Sequence, residues 1–71
     1  MMKYLLVMQI CSTLMQQCTD PVPMYPHHDN YYDCATSGFI RGISMIREIG
    51  VDEVNEKKIV VNFVCRPLEN T

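Results

Sequence analysis

Apolar residues recur along positions 30–50 at the spacing of one helix face. On a wheel of about 100° per residue with Cys34 at the origin, Tyr31, Ala35, Gly38, Phe39, Gly42, Ile43, Met45, Ile46 and Ile49 share one half-circle. Asp33, Ser37, Arg41, Ser44, Arg47 and Glu48 occupy the other half, and only Ile40 is out of place. This pattern predicts an amphipathic helix over about residues 30–49. Asp29 or Asn30 can cap its start by accepting a free backbone N–H. Gly50 suits the left-handed position after its last turn. Gly38 and Gly42 lie on the apolar stripe, where each costs roughly 1 kcal/mol of helix propensity relative to alanine. The reading that justifies them is close approach to a packed sheet.

Two shorter apolar runs flank this helix. Residues 3–12 alternate with Tyr4, Leu6, Met8 and Ile10 on one side and Leu5, Val7, Gln9 and Cys11 on the other. Residues 58–66 place Ile59, Val61, Phe63 and Cys65 on one face and Val60, Asn62 and Val64 on the other. Both faces of each run are largely apolar, the pattern of strands covered on two sides. Between the first run and the helix, Thr19–His28 carries Pro21, Pro23 and Pro26 and reads as an extended loop. Val51–Lys58 reads as a polar connection, with Val51 and Val54 turned back onto the helix end. The tail to Thr71 is expected to fray.

The order strand, loop, helix, strand predicts a single α+β domain of the βαβ kind. Its two strands are parallel and joined by a right-handed helical crossover. One helix covers one sheet face, which takes Leu6, Met8 and Ile10 with Ile59, Val61 and Phe63. The reverse face shows Leu5, Val7, Val60 and Val64, and both sheet edges are open. A homo-oligomer, most simply a dimer, is expected to bury that reverse face or to extend the sheet.

Length sharpens this expectation. A chain of 71 residues buries only about 60% of the surface that it exposes when unfolded, so disulfides, a metal or a partner copy must help. Four cysteines in a short chain point to two bridges in an oxidising compartment. In a parallel crossover unit, Cys34 in the first helical turn meets Cys65 at the end of the second strand. Cys11 then pairs with Cys18, seven residues on. The alternatives are Cys11–Cys34 with Cys18–Cys65, or four buried free thiols.

Other chemistry finds little support in the residues. His27, His28 and Asp29 are ligand types, but neither C-x₂-C nor H-x₃-H spacing occurs, so His27 and His28 are only weak metal candidates. A catalytic pair drawn from Cys34 and His28 would need an enclosed pocket that so small a domain rarely forms. No phosphate loop, G-x-S-x-G or H-E-x-x-H pattern is present. The acidic residues Glu48, Asp52, Glu53 and Glu56 lack EF-hand spacing and read as a solvated face. The net charge of −2 comes without a basic stripe, which argues against nucleic acid. Met1–Thr13 reads better as a buried strand than as a signal peptide, because its apolar run is short and no Ala-x-Ala site follows. No run approaches the roughly 20 apolar residues of a membrane span. The expectation is a protein with no catalytic site and no cofactor.

Lys3-Tyr4-Leu5-Leu6-Val7, Cys11-Ser12, Cys18-x-x-Pro21, Tyr32-x-Cys34, Val54-Asn55 and Ile59-x-Val61-x-Phe63-x-Cys65-x-Pro67 together resemble small uncharacterised proteins of marine bacteriophages. The resemblance implies a phage or marine bacterial setting and no particular activity. Retention in host cytoplasm would weaken the argument for an oxidising compartment. The expected function is that of a small non-enzymatic structural or interaction protein that self-associates, as a phage accessory or virion component. The alternatives are a secreted or periplasmic disulfide-stapled binding module and a small metal-binding protein.

Overall fold

The computed structural model describes residues 3–68. Expectations for Met1, Met2 and the tail beyond Leu68 concern residues outside that range. The elements run β1 (Lys3–Ser12), β2 (Gln17–Cys18), β3 (Val22–His28), α1 (Tyr31–Ile49), α2 (Val51–Lys57) and β4 (Ile59–Leu68). Strand β1 is the centre of an antiparallel sheet. On one side β4 pairs with it along all ten residues, from Lys3 opposite Leu68 to Ser12 opposite Ile59. The other side is shared: β2 pairs with Cys11 and Ser12, and β3 pairs along Tyr4–Met8.

This arrangement corrects the expected βαβ unit. Among the described residues there are four strands, all paired antiparallel, and no parallel crossover. The cause lies in the proline-bearing segment. Proline cannot donate to a ladder, but an edge strand needs its donors on one side only. Residues 22–28 therefore pair with β1 despite Pro23 and Pro26, and they return the chain to the end of the sheet where β1 began. Helix α1 then runs back alongside β1, and β4 must come home in the opposite direction.

The second correction concerns residues 51–57, which are helical rather than an irregular connection. Asp52 and Glu53 lie in the first turn and Lys57 in the last, as the helix dipole favours. Lys57 also pairs with Glu53 one turn back at 3.1 Å. Only Val51 and Val54 are apolar, too few to show a helical period.

Local chemistry accounts for the ends of α1. Asn30 is the cap: its Oδ1 accepts the Asp33 N–H at 2.8 Å, and its Nδ2 donates to Asp33 Oδ2 at 3.1 Å. At the far end the Gly50 N–H donates to Ile46 O at 3.1 Å. Gly50 has φ 100°, a region that side chains avoid. The α2–β4 corner is tied to the end of β1. Ser12 Oγ donates to Lys57 O at 2.6 Å, and the N–H and hydroxyl of Thr13 donate to Lys58 O at 2.9 and 3.0 Å.

The core lies between α1 and the β1–β4 pair. Leu6, Met8 and Cys34 are fully buried, with Tyr4, Met24, Met45, Val61, Phe63 and Cys65 packed around them. Gly38 lets the helix settle onto Phe63. A Cβ there would lie 2.5 Å from the ring. The two disulfides close the structure at either end. Cys11 and Cys18 face each other across the β1–β2 hairpin, and Cys34 at the start of α1 is bonded to Cys65.

Candidate functional site

The apolar arc of α1 is wider than its contact with the sheet. Cys34, Gly38 and Met45 point into the core, and Gly42, Ile46 and Ile49 are half-buried. The edge of the arc next to Arg41 faces β3, where the Arg41 guanidinium approaches Met24 Sδ at 3.9 Å. The opposite edge overhangs the outer side of β4. There Phe39 is 67% and Ile43 55% exposed, although the wheel groups both with the core residues. The ring of Phe39 meets that of Phe63 edge-on at 5.0 Å.

An open groove of about 360 Å³ follows from this overhang. Phe39, Gly42, Ile43 and Ile46 form its helix wall, and Ile59, Val61 and Phe63 form its sheet wall. Arg47 stands at its rim, and Val60 carries the lining around the strand edge. The outer edge of β4 runs beside it, and among the described residues β4 pairs with β1 alone. This groove was not singled out from the residues. Its signal is the breadth of the apolar arc, about half the circle, where roughly 100° suffices to cover a core.

The reverse face of the sheet gathers the expected oligomer residues. Val7 lies opposite Val64, Leu5 opposite Arg66 and Val60 opposite Cys11. Val60 and Val64 are exposed, whereas Leu5 and Val7 are half-buried. Gln9 and Asn62, paired in register, break this face into two patches. Gln9 Nε2 donates to Thr19 O at 3.0 Å, and Asn62 Nδ2 approaches Cys11 Sγ at 3.5 Å. A shallow depression of about 200 Å³ there is lined by Val7, Gln9, Pro21, Asn62, Val64 and Arg66 together with Phe63.

The weak metal candidates do not converge. His27 and His28 are neighbours at the end of β3, so their side chains leave opposite faces of the strand. The His27 ring sits 5.4 Å from that of Tyr25, and His28 lies opposite Tyr4. Cys34 has no thiol to pair with His28 because its sulfur is bonded to Cys65. Among the described residues, no three histidine, cysteine or acidic side chains form a metal-sized cluster. No helix there is long and apolar enough to cross a membrane.

Comparison of the chain with family models, with curated proteins and with solved structures yields no match. What the molecule offers is thus read from its surface, where an apolar groove lies beside the unpaired edge of β4.

Proposed function

We propose that this chain is a small non-enzymatic interaction protein, stapled by two disulfides, that works by associating with itself. One observation carries the reading. Among the described residues only Leu6, Met8, Cys11 and Cys34 are buried hydrophobic side chains, while Phe39, Ile40, Ile43 and Val64 lie in the open. A monomer with so small a core leaves one edge of its apolar helix arc, Phe39 and Ile43, in water, and exposed patches of this kind mark association surfaces. The closed cysteines leave no free thiol to act as a nucleophile. Light scattering on the oxidised protein from about 1 to 100 µM, the usual range for modest interfaces, tests the proposal. The expected mass is twice that of the 8.2 kDa chain.

A second reading is favoured by the disulfides themselves. Such bonds persist in oxidising compartments, so a secreted or periplasmic module that binds a different protein fits the same fold. Mass spectrometry of protein isolated without reductant separates the settings: a loss of four hydrogens is expected from an oxidising compartment, and none from cytoplasm. The phage or virion setting rests on the sequence resemblance and gains no support from the fold.

A further inference from the structure

We propose that the occupant of the groove is a second copy of this chain. Two β4 strands pair antiparallel across a two-fold axis, joining both sheets into one, and each copy covers Phe39 and Ile43 of the other. The proposal deepens the self-association reading and rests on it.

The two edges of the sheet are treated differently. The β3 edge carries Pro23 and Pro26, and its pairing with β1 shifts register between Tyr4 and Leu6. Prolines and bulges are the devices by which edge strands avoid unwanted partners. Strand β4 has none of them over Ile59–Val64. That stretch, IVVNFV, holds no charge and no proline, and it pairs with β1 without a shift. Its outward N–H and C=O groups are therefore presented in an unbroken row, a ready template for another strand. Arg66 and Pro67 come only at its far end.

A single added peptide would satisfy that row and send only its alternate side chains towards the groove. Phe39 and Ile43 stand on the helix layer, above the plane of the sheet. A second copy brings its own α1 at the same height, because a two-fold axis perpendicular to the joined sheet keeps both helices on one face.

Area agrees with this occupant. The chain exposes 5267 Å², where a compact globule of its mass would expose about 4,500 Å². The surplus, spread over an elongated chain of 43 × 20 × 15 Å, is roughly 700 Å², of the order of the roughly 800 Å² that each partner contributes to an interface of ordinary size.

The test uses the full oxidised chain in sedimentation equilibrium, with hydrogen exchange as a second readout. Ile43→Lys and Phe39→Glu change side chains that are mostly in water, so circular dichroism and both disulfides should be unaltered. Each is expected to raise the dimer dissociation constant by roughly 30-fold or more, as for a central interface residue. Tyr25→Lys, on the β3 edge, should leave it unchanged. In the parent chain, amide protection over Ile59–Val64 should rise with protein concentration, and Ile43→Lys should abolish that rise. If Val7→Lys dissociates the dimer while Ile43→Lys and Phe39→Glu do not, the copies meet through the reverse face. Self-association then stands and this inference falls. A monomer at every concentration overturns both.

Discussion

Gly38 lies against the ring of Phe63 so closely that a Cβ at residue 38 would come within 2.5 Å of Cδ1 and Cε1. The contact sets the depth at which α1 sits on the sheet. It also holds Phe63 where it can meet Phe39 edge-on and form the floor of the groove.

The two helical glycines should therefore answer alanine substitution with opposite signs. Gly38→Ala gains up to about 1 kcal/mol of helix propensity but forces the ring aside, an overpacking cost of about 1–3 kcal/mol. The net expectation is a loss. Gly42→Ala meets only Val61 at 3.7 Å, an ordinary contact. It should stabilise by up to about 1 kcal/mol. Urea melts of both variants, with unchanged m-values, check the pair.

The two disulfides should differ in worth. Replacing Cys34 and Cys65 together opens a bridge between residues 31 apart, whereas Cys11 and Cys18 are 7 apart. Loop-closure entropy assigns the longer bridge about 3.7 kcal/mol and the shorter about 2.5 kcal/mol. Cys34 is also fully buried, so alanine there adds a cavity cost. Cys18 is exposed, so graded reductant should open Cys11–Cys18 first. Alkylation and mass mapping at increasing dithiothreitol would show the order, and opening of Cys34–Cys65 first would refute it.

Both ends of the helical region offer small, signed changes. Asn30→Ala removes the cap on Asp33 N–H and should cost about 1 kcal/mol. Lys58 closes α2 in the left-handed region at φ 55°. Lys58→Gly should be favourable by about 0.5–1 kcal/mol, because glycine adopts that conformation without steric cost. Its carbonyl, which accepts from Thr13, belongs to the backbone and is kept. Thermal melts should move in opposite directions for the two variants.

The small core concentrates its sensitivity. Leu6→Ala empties the centre of the cluster and should cost about 2–5 kcal/mol. That is comparable with the roughly 3–5 kcal/mol that a single core in so short a chain supplies, so the variant should be largely unfolded at room temperature. Leu14→Ala, in the exposed β1–β2 turn, should change stability by less than about 0.5 kcal/mol. Near-ultraviolet circular dichroism distinguishes the two outcomes.

Much of the secondary structure is legible in the chain, and the misses have local causes. Period 3.6 marks α1, and short apolar runs rich on both faces mark β1 and β4. Residues 22–28 escape because proline excludes a central strand but not an edge strand. Residues 51–57 escape because two valines cannot display a period. Phe39 and Ile43 belong to the apolar arc on any wheel, but a wheel does not show where the sheet stops. The contact of Cys34 with Cys65 is common to the parallel and antiparallel layouts. In either one, α1 starts at the end of the sheet where the last strand finishes.

By itself the sequence determined which segments are apolar on which side, where the long helix begins and ends, and which strand faces meet it. These are matters of neighbours within a few residues, where backbone geometry and side-chain spacing leave little choice. Tertiary structure alone decided the direction of β4, the recruitment of a proline-bearing edge, and which edge was left bare. Those outcomes depend on how distant segments compete for the two sides of β1, and hydrogen-bond donors carry no label saying which distant strand they will join.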